Sequence, residues 1–247
     1  MIIRVFAAAT LGVALLAAPA AAYPVKGVPE LTHNPLYKKG KLPKISCKLS
    51  KGTTEASTEK YLRKLVGCLN DAWKPIVDDY QPVSVDIKRK QDDRCTGGTE
   101  MVNSYAVVCG TFIRVQLGAD WIKAKDDLPV FLQVTAAFGG VVQGQTGIGE
   151  AWWALGTDIE EEEKELNRRF DLQQYCLSGA AVKSLGRTAR NWKPLLHAED
   201  PEPKDKGFSK FFTHKPTANE VSWFTRGYKA GGPGACNTWT ASSAKVA

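Results

Sequence analysis

Leu128-Pro129-Val130-Phe131-Leu132-Gln133-Val134-Thr135-Ala136-Ala137-Phe138-Gly139-Gly140-Val141-Val142-Gln143 is the most apolar stretch of the chain after its first 22 residues. Its length predicts a buried helix entered near Pro129, since proline suits a first helical turn. Gly139-Gly140 in its middle is an unexpected choice, because each glycine costs a helix about 1 kcal/mol relative to alanine. Thr146-Gly147-Ile148-Gly149 leads out of it. A second long helix is expected from Asp158 to Leu185. Its opening acids, Asp158 to Glu163, complement the positive end of a helix dipole.

Upstream, Leu62, Leu65, Val66, Leu69 and Trp73 recur at steps of three and four. They predict an amphipathic helix that starts near Ser57 or Thr58 and ends or kinks at Pro75. Val83, Val85 and Ile87 alternate with polar residues, as in a half-buried strand. Asp93 to Thr99 reads as a turn-rich link. Tyr105 to Cys109 and Phe112 to Leu117 read as further strands. Downstream, Ala198 to Gly207 reads as a surface loop. A last helix follows Pro216, carries Val221, Phe224 and Tyr228 on one face, and ends at Gly231-Gly232. These elements predict an α+β domain with helices packed on a small, antiparallel-rich sheet.

At the N-terminus, Arg4 precedes an apolar run from Val5 to Ala18. Pro19 and Ala20-Ala21-Ala22 follow it, which predicts a secretory signal peptide over residues 1–22. The run is too short for a bilayer core that needs roughly 20 residues. Charges interrupt every later apolar run, so no transmembrane anchor is expected after cleavage. Residues 23–56 are rich in Pro, Gly and Lys and read as an extended basic arm, and residues 57–247 as a single domain. The full chain carries a formal net charge of +7, and the signal removes only Arg4, leaving +6. Much of the excess lies between Lys38 and Lys51. On an exported protein such a surface can meet anionic cell-envelope polymers; a solvated, partly disordered arm is the plainer reading. No nucleic-acid motif accompanies the charge.

The six cysteines are Cys47, Cys68, Cys95, Cys109, Cys176 and Cys236. An even number in an exported chain implies disulfides, and none shows CxxC spacing. Spacing alone leaves fifteen pairings open.

Near the C-terminus, Phe212-Thr213-His214, then Val221-Ser222-Trp223-Phe224-Thr225-Arg226-Gly227-Tyr228, then Cys236-Asn237-Thr238-Trp239 resemble the closing elements of the neutral zinc metallopeptidase family. That family runs FTHGSS, a VRWF-(K/R)RGF-like helix, then CDTF. Cys68 to Trp73 resembles its C-L-x-x-x-W element. Cys95 with Gly97, then Tyr105 to Leu117, resembles its CGxG, FYCP and VYLD segments. The resemblance implies a zincin-like metallopeptidase fold. The disulfides expected are Cys95–Cys109, Cys47–Cys68 and Cys176–Cys236; the first joins residues flanking a short strand-rich segment, a geometry a hairpin can satisfy, and the third joins two of the resembling elements.

The family's active site is HEVGHHVQ on a helix, where two histidines one turn apart hold zinc and the glutamate is the general base. The aligned residues here are Ala136 to Gln143. Ala136 stands at the first histidine, Ala137 at the glutamate and Gly140 at the second histidine, and none can ligate a metal or move a proton. The second element, ELQADC, aligns with Asp171-Leu172-Gln173-Gln174-Tyr175-Cys176. Asp171 stands where the family has its third ligand, and Tyr175 replaces the aspartate. The resemblance thus implies a degenerate centre without zinc, with Asp171 facing Ala136 and Gly140. The small residues would leave an apolar-walled groove, or one filled by Phe138 or Tyr175. As ordinary residues, Asp171 is a solvated or capping acid and His214 a hydrogen bonder in a loop or at a helix start. Only His33, His197 and His214 exist, without metal-ligand spacing, and no GxSxG elbow is present.

Three functions stay open. A non-catalytic, peptidase-shaped module would bind extended peptide by adding a strand beside Val115-Gln116-Leu117, if that segment is an edge rather than an ordinary paired strand. Trp152-Trp153 would line a ligand surface or pack in the core. The second is an active metallopeptidase with unorthodox ligands. The third is an envelope protein that adheres to anionic polymer through its lysines.

Overall fold

The computed structural model describes residues 25–90, 95, 103–188 and 217–247. The expected signal segment, the Asp93–Thr99 link apart from Cys95, the Ala198–Gly207 loop, His197 and His214 lie outside the described residues. Seven helices are described: α1 (Pro29–Thr32), α2 (Glu55–Trp73), α3 (Ala119–Lys123), α4 (Leu128–Gln145), α5 (Ile148–Ala154), α6 (Glu160–Ser184) and α7 (Ala218–Ala230). Three strands, β1 (Val85–Lys88), β2 (Tyr105–Cys109) and β3 (Phe112–Gln116), complete an α+β architecture.

The helix limits follow local chemistry. Thr54 caps α2 in a reciprocal box with Ser57, satisfying backbone N–H groups that a helix start leaves open. Leu62, Leu65, Leu69 and Trp73 are its wholly buried stripe. Thr217 and Glu220 cap α7 in the same way. At the end of α6, the carbonyls of Ala181, Val182 and Lys183 accept from Leu185, Arg187 and Gly186. The carbonyl of Ser184 accepts from Ile45 at 2.9 Å.

The sheet order is β1-β3-β2. β3 runs antiparallel to β2 and parallel to β1, with Val115 opposite both Ala106 and Ile87. The sheet is therefore mixed rather than antiparallel-rich. α4 lies against β2 and β3 on one side and against α6 on the other. Every residue from Val130 to Gln143 is buried, which is why this helix is apolar all round.

The expected extended arm carries α1 and a helical turn at Pro35–Lys38, runs for a long stretch without regular structure only from Lys39 to Thr54, and gives its last residues to α2; it is not a solvated tail. Leu31, Leu36 and Leu42 are buried. The Leu42 N–H donates to the Gly231 carbonyl at 2.8 Å, and the Val25 N–H donates to the Trp239 carbonyl at 3.2 Å. The Asn34 side chain reaches the Thr146 carbonyl, and Tyr37 accepts from Gln173. The arm is a strap across the ends of α6 and α7.

The disulfides are Cys47–Cys68, Cys95–Cys109 and Cys176–Cys236, the expected pairs. They tie the strap to α2, close the β2 segment, and tie α6 to the tail after α7. Three such bonds fit an oxidising, extracytoplasmic compartment. Among the described residues no helix is long and apolar enough to cross a membrane.

Candidate functional site

α4 and α6 cross at Gly139 and Gly140. A Cβ on Gly139 would meet the Gln174 carbonyl at 3.2 Å and Leu177 at 3.3 Å. A Cβ on Gly140 would lie 2.5 Å from Val108 Cγ2 and 3.3 Å from the Gln174 amide. The glycine pair that weakens helix propensity is thus what lets α6 and β2 close on α4. Ala136 is fully buried and Ala137 is 3% exposed. Polar links flank this contact: Thr135 and Ser178 share a hydrogen bond at 2.7 Å, and Gln143 donates to Gln173 at 2.7 Å and to the Phe170 carbonyl.

The face of α6 turned toward α4 is therefore Phe170, Gln173, Gln174, Leu177 and Ser178. Gln174, not Asp171, is the α6 side chain against Gly140. Tyr175 belongs to the seam with α7, where its hydroxyl is hydrogen-bonded to Glu220. Burial first, then the charges of Glu220 and Asp171 and the bond to Glu220, hold the Tyr175 phenol far above its ordinary pKa. The expected groove at Gly140 is closed, and it is Val108 and Gln174 that close it. Asp171 lies three residues before Gln174, about one turn earlier along α6 and roughly 60° around it.

The zinc that the resemblance implies does not fit these residues. A ligating histidine at position 140 has no room for even its Cβ, and the neighbouring amide of Gln174 is a poor substitute for imidazole or carboxylate. Among the described residues no group of three His, Cys, Asp or Glu side chains converges as a metal site. His33 lies in the strap, its Nδ1 2.8 Å from Thr32 Oγ1.

Val115, Gln116 and Leu117 are not an edge. β3 is the central strand, Val115 and Leu117 are wholly buried, and the Leu117 N–H donates to the Lys88 carbonyl at 2.8 Å. Both sides of the strand already have partners, so an extended peptide cannot add there.

The arrangement does assemble a surface that the sequence only hinted at. The strap brings Lys41 and Lys44 to the ends of α6 and α7. Gly232, just past α7, approaches Lys41, since a Cβ there would lie 2.9 Å from Lys41 Cα. Ile45 is bonded to Ser184, and the Ser184 hydroxyl donates to the Pro43 carbonyl. Lys183 donates to the Lys229 carbonyl at 2.7 Å. Lys41, Lys44, Lys183 and Lys229 are all exposed. The clue missed in the sequence was the spacing of Leu31, Leu36, Leu42, Ile45 and Leu49 among the lysines, which marks a chain with an inward side.

Beyond this face, a cavity of about 330 Å³ opens between the strap and the start of α4. Cys47, Leu49, Lys51, Asp126, Asp127, Leu185 and Arg187 are among its lining residues. Asp127 accepts from Tyr61 at 2.8 Å and pairs with Arg187, whose guanidinium lies 4.6 Å over the Phe131 ring. Lys51 donates to the carbonyls of Gly52, Ile122 and Ala124. Burial lowers its pKa, and Asp127 opposes that effect. Lys51 thus ties the strap to the end of α3, and Asp127 joins α2 to Arg187 just past α6.

No family model, curated protein or solved structure matches the chain.

Proposed function

We propose that the chain is an exported, non-catalytic binding protein, zincin-like in outline, that holds anionic cell-envelope polymer on the lysine face formed by the strap and the ends of α6 and α7. The observation that carries the reading is the convergence of Lys41, Lys44, Lys183 and Lys229 from three separate segments. Such a face attracts polyanions by long-range electrostatics and by release of their counterions. The backbone bonds from the strap fix these lysines' positions, so the face does not have to be assembled on binding. The zincin-like outline is supported by the α4–α6 pair beside a small sheet and by the order of the resembling motifs. The non-catalytic reading is supported by residue chemistry: at the positions aligned with the zincin-type centre, Ala136, Ala137 and Gly140 supply neither ligand nor base. Peptide capture at β3 is set aside, because that strand has no free side.

The test uses the disulfide-bonded chain from residue 23 onward with soluble polyphosphate, and a neutral dextran as control. Polyphosphate should bind, weaken steeply between about 50 and 200 mM salt, and be lost when Lys41, Lys44, Lys183 and Lys229 are all changed to Gln. Retention of full affinity in that variant rejects the lysine face. The alternative, an active metallopeptidase with unorthodox ligands, predicts about one zinc per chain and chelator-sensitive cleavage of casein. Metal analysis after dialysis should find neither.

A further inference from the structure

Two large apolar side chains stand out of the described surface: Trp153, 81% exposed, and Ile159, 57% exposed. Both lie where α5 turns into α6, at the end of α6 opposite the lysine face. At 1.5 Å per residue, the 25 residues of α6 place these ends about 37 Å apart. Trp152 accounts for the anchoring of α5: its ring stacks on Phe170 at 4.2 Å. Trp153 meets Trp152 edge-on at 6.0 Å and otherwise faces outward. Folding therefore gains little from Trp153.

The surroundings of Trp153 are acidic in a chain that is basic overall. Glu150 precedes it by three residues and shares its face of α5. Asp158, Glu160, Glu161, Glu162 and Glu163 follow, all exposed. Lys164 is the single cation from Gly149 to Asn167, and it pairs with Glu160 and Glu161. Among the described residues Glu150, Asp158 and Glu163 make no ion pair. Along α5 the surface continues into a hollow of about 410 Å³ lined by Val28, Glu30, Glu150, Ala151, Ala154 and Leu155. Its walls are mainly apolar and its two charged residues are again carboxylates.

We infer that this end of the molecule is a docking surface for a partner protein segment that presents an apolar or aromatic side chain between lysines or arginines. An exposed tryptophan is the residue type that most often anchors an interface, and it does so when ringed by polar groups that exclude water. The carboxylates select the sign of the partner, because like charges brought together cost affinity. They repel anionic lipid, polyphosphate and nucleic acid, so this surface cannot be a second copy of the polymer site. With the lysine face at the other end of α6, the protein would bridge an anionic polymer and a cationic protein.

The experiment uses the disulfide-bonded chain and a synthetic peptide, acetyl-Lys-Lys-Leu-Trp-Lys-Leu-Lys-Lys-amide. A second peptide replaces every Lys with Glu. Binding is read by calorimetry. The Lys peptide should bind and the Glu peptide should not. Trp153→Ala should weaken binding at least about tenfold, the loss expected for one interface anchor. The double change E160K/E163K should weaken it further, while both variants keep full polyphosphate binding. That last readout separates this surface from the lysine face, since either can fail alone. The inference is overturned if the Lys peptide does not bind, if Trp153→Ala leaves its affinity unchanged, or if the Glu peptide binds equally well. Self-association that Trp153→Ala abolishes, or Trp153-dependent binding of neutral dextran, would overturn it by assigning another occupant.

Discussion

Val108 and Gln174 decide what position 140 can hold. With Val108 Cγ2 only 2.5 Å from where a Cβ would start, any side chain there must push β2 or α6 away. Overpacking of this kind typically costs about 1–3 kcal/mol. Gly140→His together with Ala136→His should therefore lower the urea midpoint without creating a zinc site, a pair of readouts that denaturation and metal analysis provide. Zinc uptake with unchanged stability would show that the crossing is looser than described. Gly227 is held more tightly still. A Cβ there would sit 1.8 Å from the Cys176 carbonyl oxygen, and one on Gly179 would sit 2.2 Å from the Phe224 carbonyl oxygen. Both obstacles are backbone, which cannot swing aside as a side chain can. Gly227→Ala should destabilise the protein more than any exposed Gly→Ala change, for instance at Gly67 in α2, where a Cβ meets nothing within 4 Å. At Gly67 the change should be neutral or stabilising, because alanine favours the helix.

At the scale of elements, the strap is the part whose removal is most informative. It is tied to α2 by Cys47–Cys68, which closes a loop with a sequence separation of 21. Disulfides closing loops of this size contribute about 2–4 kcal/mol, chiefly by restricting the unfolded chain. The double variant Cys47→Ala, Cys68→Ala should lose stability in that range. It should also weaken polyphosphate binding, because the strap sets where Lys41 and Lys44 stand. A loss of stability with no change in binding would mean that Leu42 and Ile45 hold the lysines unaided. Much of this level was legible in the sequence. The stripe from Leu62 to Trp73, the strand from Tyr105 to Cys109 and the helix ending before Gly231 follow from periodicity and end signals. The helix α5 was not foreseen, because Gly147 and Gly149 read as loop and hide the short run from Ile148 to Ala154. The central place of β3 was not foreseen either. Alternation marks a strand but does not say which strands lie beside it, and β1 joins β3 across a gap in sequence that contains β2. The rotation of α6 is hidden for a similar reason: Asp171, Gln174 and Tyr175 lie within about one turn, and only the packed partners decide which of them meets α4.

The whole molecule is stitched by hydroxyls of buried and half-buried tyrosines, and this predicts how it fails. Tyr37 accepts from Gln173 and donates to the Leu31 carbonyl, joining strap to α6. Tyr61 in α2 donates to Asp127 at the start of α4. Tyr80 donates to Asn70, whose side chain also holds Val83 ahead of β1. Tyr175 joins α6 to Glu220 of α7. In each, burial is the main cause that raises the phenol pKa, to about 12 for Tyr80 and higher for the other three. For Tyr61 and Tyr175 the neighbouring carboxylates raise it further. An unfolded tyrosine ionises near pH 10. The folded pKa lies above the unfolded one, so the native state binds more protons than the unfolded state at alkaline pH. Stability is then fully present below about pH 10 and is lost as pH rises beyond it. The four sites lie at four different joints, so their ionisation should not loosen one element at a time. Absorbance at 295 nm and circular dichroism, followed together above pH 10, should show these phenols ionising only as helix content is lost. Tyr61→Phe should leave less alkaline sensitivity, at the cost of the one hydrogen bond Tyr61 gives Asp127, which keeps Arg187 as its partner. A smooth titration of all seven tyrosines near pH 10, with helix content unchanged, would show that these hydroxyls are not the joints that hold the helices together.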